Sequence, residues 1–378
     1  MRNLTIILIV FLNNLFAEEA TMISKWPTLF LIIMTLPIMG HVVILPLMLD
    51  VAGRDIIISI LISLPAALIF AYTIFRLRLN YPNSSPVEMF ADLLGKWGSR
   101  LFRLLFIAYF LFLTITSFAS LVDFVYIGFL PDTPILALII WFLIFFLYAT
   151  AKGHRYIALT AGLLALIGVV TGHTLTLMDS KYKDWNEILP LLEFGWGPPL
   201  WGSLILISIW IELLFLLFLP LKDIRQKRFF LMWLIGILVV ALTMFSTANG
   251  VITIFGLGQA ENFTYPAQEI VRLINLGFID RFDIYGMILM TFGVYIRCSL
   301  FFRIAYELSL PKDPSKWTKR IIFSLFAVVT FLFTFYLANE HFRIEKSINI
   351  YAYMVILFPI PFVLLLISWM KKIKHRRI

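Results

Sequence analysis

Long apolar runs dominate the chain, and short polar segments separate them. A run of about 17–25 apolar residues is long enough to cross the ~30 Å hydrocarbon core of a bilayer as a helix. The polar segments between the runs are too short to hold a soluble domain. The pattern therefore predicts an all-α polytopic membrane protein with ten transmembrane helices. They are Thr28–Leu49, Ile56–Phe75, Leu101–Tyr126, Ile135–Thr150, Tyr156–Leu177, Leu200–Phe218, Phe229–Phe255, Ile284–Ile304, Ile321–Ala338 and Asn349–Met370.

Composition supports the same class of protein. Hydrophobic residues make up 61% of the 378 residues, and charged residues make up only 14%. A soluble domain of this length has no core large enough to hold so much apolar surface. The sequence therefore indicates a chain whose solvent is largely the lipid bilayer.

The chain has a net charge of +9, which could indicate nucleic-acid binding, but the distribution of the basic residues indicates a membrane orientation instead. With the N-terminus in the cytosol, the cytosolic loops and tail hold 21 basic residues and the outer loops hold 7. An excess of Lys and Arg in the cytosolic loops is the usual orientation signal of membrane proteins. The charge therefore predicts cytosolic termini and contact with anionic lipids, and no nucleic-acid partner.

Ten spans divide into two halves of five, so the second half begins on the opposite side of the membrane from the first. This parity is what an inverted-topology repeat requires. We expect one transmembrane domain over residues 22–378, with repeats at 22–177 and 198–370. Residues 1–21 contain an apolar stretch too short to span, and Met22 is an alternative start. We interpret 1–21 as an N-terminal extension or a misassigned start.

Two helices carry signs of an interruption in mid-membrane. In inverted-repeat transporters the first helix of each half is discontinuous, and the binding site lies at the two breaks. The first helix contains Pro37, Gly40, His41 and Pro46, which remove hydrogen bonds and loosen the backbone. The sixth helix has a weaker signal in Ser208–Glu212. A simple proline kink in the first helix is the alternative.

Glu212 and Arg297 are ionisable residues deep in apolar spans. Each lies roughly 17–20 Å from the start of its helix, at ~1.5 Å per residue, and so at a similar depth. A charge at this depth costs a few kcal/mol and usually faces a partner or a water-filled cavity. The two residues are therefore expected to pair. The pair either forms part of a functional site or simply holds two helices together.

These features together predict a binding site for a small ligand in mid-membrane. We expect the ligand between the interruption of the first helix and that of the sixth, with the third and eighth helices closing the sides. The candidate ligand-binding residues are Gly40, His41, Thr114, Ser117, Phe118, Ser208, Trp210, Glu212, Thr291 and Arg297.

Motifs for other kinds of chemistry are missing from the sequence. It has no phosphate-binding loop, no nucleophile elbow and no zinc-protease motif. Its five histidines are scattered, and its one cysteine, Cys298, has no companion for a disulfide or a metal site. We therefore expect no enzyme activity, no metal and no cofactor. Asp123, near the outer end of the third helix, is expected either to reach the membrane interface or to line an outer vestibule.

Two amphipathic stretches lie outside the spans. Pro86–Ser99 has an apolar stripe and predicts a short helix on the cytosolic surface. Ala267–Gly277 predicts a similar helix on the outer surface. Both are expected to support the fold.

Two motifs precede the eighth helix, at Tyr265–Arg272 and Phe278–Asp283, and shorter distinctive stretches lie at Leu94–Trp97, Leu130–Pro134, Glu212–Phe215 and Pro220–Lys222. The two motifs resemble the Y-P-x-x-E-x-V-R and F-x-E-R-x-D pattern of one family, and the shorter stretches are also similar to it. This family is the spore germination permeases, the B subunits of nutrient-germinant receptors in endospore-forming bacteria. It belongs to the amino acid–polyamine–organocation transporter superfamily.

The resemblance implies a ten-helix, LeuT-like inverted-repeat fold in the spore inner membrane. It also implies binding of a small nutrient, such as an amino acid, and assembly with an A subunit and a lipoprotein C subunit. Two residues depart from the family pattern, which commonly has Gly at the position of Ile211 and Lys at that of Arg297. An arginine does not lose its proton in a protein, so this departure argues against a proton-carrying role for Arg297.

Two functions remain open at this point. The first is a receptor subunit that binds a nutrient and triggers germination. The second is a proton- or sodium-coupled amino acid permease, because one scaffold can host both activities. The family resemblance favours the receptor.

Overall fold

The computed structural model describes residues 22–82, 84–274, 282–347 and 353–376. The predicted extension at residues 1–21 and most of the Phe278–Asp283 motif lie outside these ranges. Within them the regular structure is helical, apart from one isolated parallel β-bridge between Ile23 and Leu221.

Helices α1 to α15 follow one another along the described chain. A π-helical turn, Gly40–Ile44, joins α1 to α2, and a 3₁₀ turn, Gly53–Asp55, joins α2 to α3. The helices are α1 Lys25–Met39, α2 Leu45–Ala52, α3 Ile56–Asn80, α4 Pro86–Gly128, α5 Ile135–Lys152, α6 His154–Met178, α7 Gly197–Ile211, α8 Phe215–Phe218, α9 Phe229–Phe255, α10 Leu257–Ala260, α11 Pro266–Arg272, α12 Ile284–Ser309, α13 Lys316–Ala338, α14 His341–Ser347 and α15 Ile360–Arg376.

Nine helical segments of the described chain are long and apolar enough to cross a membrane. One of them, Lys25–Asn80, has 56 residues and contains the first two predicted spans. Trp233 contacts both ends of this segment, since its indole N–H donates to Thr28 at 3.2 Å and its ring meets that of Phe75 at 5.6 Å. The segment therefore folds back on itself at the Gly53–Asp55 turn. The total of ten spans and the cytosolic termini remain predictions.

Helix α4 begins with a short arm and changes direction at Gly95 before it enters the bundle. A capping box at Ser85 and Glu88 starts the helix. Gly95 then breaks it with φ +73° and ψ −179°, a conformation that favours glycine. The break divides the predicted surface helix Pro86–Ser99: Phe90, before Gly95, is buried, whereas Trp97, after it, is 80% exposed. The position of this segment at the cytosolic surface stays a prediction.

Aromatic side chains fill the centre of the bundle between α4, α8 and α12. The ring of Phe110 lies 5.2 Å from that of Phe218 and 5.6 Å from that of Phe301. Phe106 adds an edge-on contact with Phe218 at 4.7 Å. Such ring pairs contribute about 0.5–1.5 kcal/mol beyond the burial of their area. They fix α12, which carries Arg297, against α4 and α8.

The predicted orientation leads to a simple labelling experiment. Trp185 and Lys316 are both exposed at loop or helix-end positions, and the single native cysteine, Cys298, is fully buried. We expect Trp185→Cys to react with an impermeant thiol reagent added outside the cell and Lys316→Cys not to react. The wild-type chain gives the background. The opposite labelling pattern would overturn the cytosolic position of the termini.

Candidate functional site

Both helices that were expected to be interrupted contain a turn that is not α-helical. In the first, the π-helical turn Gly40–Ile44 follows Pro37. In the sixth, a 3₁₀ turn, Glu212–Leu214, separates α7 from α8. The backbone stays helical at Gly40, with φ −57° and ψ −44°, so the first helix widens without unwinding. The expected break was wrong in kind, because a π turn keeps the chain helical while it shifts the hydrogen-bond register.

Glu212 and Arg297 meet in the centre of the bundle, as their depth predicted. The guanidinium donates from Nη2 to Oε1 of Glu212 at 2.7 Å and from Nη1 to Oε2. The side chain of Arg297 is 0% exposed and that of Glu212 is 8% exposed. Two parallel N–H···O bonds match the fork of an arginine to a carboxylate. The pair therefore joins the 3₁₀ turn after α7 to the middle of α12.

Three further groups surround Arg297. Its Nε donates to the hydroxyl of Ser117 on α4 at 2.6 Å, and its Nη1 donates to the backbone carbonyl of Thr35 on α1 at 2.8 Å. The guanidinium also lies 4.8 Å from the ring centre of Phe301. Thr35 was not among the candidates from the sequence, because a backbone carbonyl leaves no trace in the pattern of side chains. One cation thus ties together α1, α4, α12 and the turn after α7.

The other candidate residues are spread around this centre. The hydroxyls of Thr114, Ser208 and Thr291 each donate to a carbonyl three or four residues earlier in their own helix. Trp210 donates to Ser63 of α3 at 3.1 Å, and Phe118 packs edge-on against Phe146 at 5.1 Å. Within the predicted set, the side-chain hydrogen bonds that join different helices link Ser117, Glu212 and Arg297.

The space between Gly40 and the sixth helix is filled in this conformation. A Cβ atom added at Gly40 would lie 2.9 Å from Cε of Met244 and 3.4 Å from Cδ1 of Ile209. His41, the next residue, points elsewhere: its Nε2 lies 3.3 Å from the hydroxyl of Thr247 on α9. A ligand between Gly40 and Ser208–Glu212 would need these side chains to move. Whether those residues bind a ligand stays a prediction.

A cavity of about 210 Å³ lies beside this centre, between α1, α6, α9, α11 and α12. His41 is the only candidate residue among those that line it. Most of the wall is aliphatic or aromatic, and hydroxyl, imidazole and amide groups interrupt it. The polar residues that the sequence did not single out include Thr176, Ser246, Thr247 and Gln268.

A second polar cluster contains Asp123 near the C-terminal end of α4, Tyr265 just before α11, and His341 on α14. The carboxylate of Asp123 is buried and accepts a hydrogen bond from the hydroxyl of Tyr265. Nδ1 of His341 lies 2.7 Å from the same carboxylate, and Nε2 lies 3.4 Å from Glu345 on its own helix. Asp123 is therefore a buried acceptor that joins three parts of the chain. Its position relative to the membrane interface stays a prediction.

The hydrogen bond that Nδ1 of His341 donates to the carboxylate of Asp123 raises the pKa of His341 above its ordinary value of 6.5. The groups that face the imidazole are Asp123, Tyr265 and Glu345. A raised folded-state pKa means that this contact stabilises the fold fully below pH 6.5, and that the contribution disappears as the pH rises through the higher value. We expect the thermal stability of the wild-type protein to fall over that window and that of His341→Asn to stay flat. Glu345→Gln, which removes the more distant partner, should show a smaller change. An unchanged slope in His341→Asn would show that another group titrates.

Among the residues that the structure describes, no group of three or more His, Cys, Asp or Glu side chains is arranged to hold a metal ion. His154 instead contacts Glu307, and Arg303 contacts the same carboxylate at 2.6 Å. This second ion-pair network anchors the end of α12 to the α5–α6 junction.

The fold is similar to that of a solved transporter. A chain described as the substrate-bound outward-open state of a Na⁺-coupled sialic acid symporter superposes with a TM-score of 0.60. The alignment covers 86% of this chain and 75% of the symporter at 14% identity. At this identity the likeness concerns the fold alone. It confirms the LeuT-like helical architecture that the sequence predicted.

Three relatives share part of the sequence. Spore germination protein XB of Bacillus anthracis is 28% identical over 266 residues, which cover 70% of this chain and 74% of that protein. Spore germination protein KB of Bacillus subtilis (strain 168) is 27% identical over 265 residues, with coverage of 67% and 69%. Spore germination protein YndE of Bacillus subtilis (strain 168) is 29% identical over 148 residues, with coverage of 38% and 40%.

The family itself matches over most of the chain. A sequence model of the family described as Spore germination protein matches residues 22–343. The apolar helical segments described above make the chain a multi-pass integral membrane protein. It belongs to the spore germination protein family.

Proposed function

We propose that this chain is the membrane-embedded, nutrient-sensing subunit of a spore germinant receptor. It binds a small nutrient, of which an amino acid is the leading class, within the bundle. It then triggers germination together with an A subunit and a lipoprotein C subunit in the inner membrane of the spore. The observation that carries this proposal is the family match over residues 22–343.

The contacts of Arg297 support a sensing role. Four of its hydrogen bonds are already made, to Glu212, Ser117 and the carbonyl of Thr35. Because these hydrogen bonds occupy most of its donors, the guanidinium of Arg297 has few donors left for a ligand. It instead connects several helices, so a change in their arrangement would alter its contacts.

Sensing requires two conformations that bind the nutrient with different affinities. The 3₁₀ turn Glu212–Leu214 contains one member of the central ion pair, and the π turn Gly40–Ile44 continues the helix whose Thr35 carbonyl accepts a hydrogen bond from Arg297. Their hydrogen-bond registers differ from those of the flanking helices, so each is a place where a helix can change register. Nutrient binding that shifts these turns would move the surfaces offered to the partner subunits.

The alternative function is a proton- or sodium-coupled amino acid permease. The helical scaffold is compatible with it, because one fold hosts both transport and sensing. A permease must also accumulate its substrate across a membrane, whereas a sensor need only bind it.

Spores test the proposal directly. Spores that lack this chain and spores that carry it on a plasmid are exposed to separate panels of amino acids, sugars and nucleosides. We expect at least one nutrient to trigger germination only when the chain is present, and the leading class to be amino acids. Spores that respond identically to every panel with and without the chain would contradict a sensing function.

A further inference from the structure

The link between α6 and α7 exposes apolar side chains, although a loop in water usually exposes polar ones. Residues 188–204 run from this link into the first turns of α7 and contain one charged residue, Glu193. The exposed apolar side chains of the link, which we call the apolar loop surface, are Leu189, Leu191, Phe194 and Trp196. Phe194 is the most exposed of them, at 79%. A group of exposed apolar side chains on one segment indicates a contact with a membrane or with another protein.

The polar groups of the link are held by the rest of the chain. The backbone N–H of Leu192 donates to the buried carboxylate of Asp55 at 2.8 Å. Nε of Arg54 donates to the backbone carbonyl of Glu187 at 3.0 Å, and its Nη1 lies 3.7 Å from the carboxylate of Glu193. These contacts attach the link to the turn between α2 and α3. They also pair the one acid that lies among the exposed apolar side chains.

The apolar loop surface continues along the chain into a surface that faces lipid. Leu200, Trp201 and Leu204 are exposed at the start of α7, which belongs to the transmembrane segment Gly197–Phe218. Exposed apolar side chains on a transmembrane helix face lipid, because lipid is the solvent there. The backbone N–H of Leu200 donates to the carbonyl of Trp196 at 3.2 Å, so the link joins the helix through one regular turn. Lipid contact at α7 therefore extends to the link that precedes it.

The backbone of the link limits how deep it can lie. Residues 189–196 form turns and no regular helix, and irregular backbone that is exposed to lipid does not occur within the hydrocarbon core. The backbone must therefore lie at the level of the headgroups. Tryptophan is enriched at this level, where its ring meets the acyl chains and its N–H meets water or headgroups. Trp196 and Trp201, at the two ends of the first turn of α7, fit this level.

We infer that the apolar loop surface is inserted into the interfacial layer of the bilayer, on the side where α3 and α7 begin. Its partner is phospholipid: the side chains of Leu189, Leu191 and Phe194 lie among the upper parts of the acyl chains, and Trp196 lies among the headgroups. Because the link is attached to the turn between α2 and α3, this lipid contact holds the ends of both interrupted helices at one depth. The inference depends neither on the sensing function nor on the predicted orientation of the chain.

A fluorescent label on the link tests this placement in the purified full chain. Phe194→Cys is labelled with a bimane fluorophore and reconstituted into vesicles of phosphatidylglycerol and phosphatidylethanolamine. The native Cys298 is fully buried, so the wild-type chain gives the background. Because the Phe194 side chain is largely exposed, its replacement should leave the fold intact.

Gln259→Cys is the matched control for a label in water. Gln259 is exposed on α10, directly after α9. The end of α9 lies on the same side of the bundle as the link, since the backbone N–H of Asp184 donates to the carbonyl of Thr253 at 2.7 Å. The two labels therefore report on the same side of the membrane.

Three quenchers measure the depth of each label. One lipid has a nitroxide near its headgroup, a second has a nitroxide at the end of its acyl chain, and iodide is the quencher in water. We expect the label at position 194 to lose most fluorescence with the first lipid, less with the second and least with iodide. The label at position 259 should lose most fluorescence with iodide.

Two results would overturn the inference. If iodide quenches both labels equally and neither lipid quenches the label at position 194, the apolar loop surface lies in water, and a partner protein becomes its occupant. If the lipid with the nitroxide at the end of its acyl chain quenches that label best, the link lies in the hydrocarbon core and the interfacial depth is wrong. Nutrient sensing is decided separately by the response of the spores.

Discussion

Replacement of either member of the central ion pair is expected to destabilise the protein severely. Removal of one partner from a buried pair typically costs about 3–5 kcal/mol, because the other charge is left uncompensated. Glu212→Gln leaves Arg297, which is 0% exposed, without its countercharge, and Arg297→Met strands the carboxylate. We expect each single variant to reduce the amount of folded protein in the membrane, as measured by quantitative immunoblot and by thermal denaturation in detergent.

The double variant Glu212→Gln/Arg297→Met should recover part of this loss, since no unpaired charge remains. Glu340→Gln is the control, because Glu340 also pairs with an arginine, Arg343, but its side chain is 57% exposed. Exposed pairs contribute about 0–1 kcal/mol, so this variant should behave like the wild type. Damage that is strictly additive in the double variant would contradict an energetic link between the two residues.

The same variants decide what the pair is for. If the double variant restores abundance while spores no longer respond to their nutrient, the pair has a part in signalling. If it restores both abundance and response, the pair only holds the helices together.

The second large effect is expected where α1 crosses α12. A Cβ added at Gly293 would lie 2.1 Å from Cδ1 and 2.2 Å from Cγ1 of Ile38, and 3.4 Å from the carbonyl of Met34. Gly293→Val therefore forces the two helices apart or moves Ile38 out of its position. Overpacking of this kind typically costs about 1–3 kcal/mol, and sometimes more. The same movement would draw the Thr35 carbonyl away from Arg297.

A second-site change makes this prediction specific. Ile38→Ala removes the atoms that a new Cβ would meet, so Gly293→Ala/Ile38→Ala should be more stable than Gly293→Ala alone in thermal denaturation. Gly258→Ala, with no neighbour within 4 Å, should stay close to wild type. If Ile38→Ala worsens the Gly293→Ala variant, the close approach of α1 and α12 is not the cause.

The sequence predicted those features that are energetically costly and can be recognised from the order of residues alone. An ionised group in an apolar span is expensive, so Glu212 and Arg297 stood out and their equal depth predicted the contact that the structure contains. The length of the apolar runs predicted the helical architecture for a similar reason, because a bilayer sets the length of a span.

Features that depend on uncharged side chains, or on contacts between residues far apart in the sequence, could not be predicted in this way. Thr114, Ser208 and Thr291 satisfy their own hydroxyls within one helical turn, so a hydroxyl in a span does not indicate a ligand. Asp123 and His341 are 218 positions apart, and their contact depends on packing that a single sequence does not encode locally. The cavity is likewise a property of how α1, α6 and α9 fit together. The sequence therefore predicted the central ion pair and did not predict the cavity.

The central claim, that the chain senses a nutrient without transporting it, is tested most directly in proteoliposomes. The purified full chain is reconstituted with a labelled amino acid to which spores carrying the chain respond, and binding and uptake are measured in the same vesicles under imposed proton and sodium gradients. We predict saturable binding whose amount does not exceed the number of protein molecules, with or without a gradient. Accumulation of that amino acid inside the vesicles, driven by either gradient and lost when that gradient is collapsed, would contradict the account and identify a coupled permease.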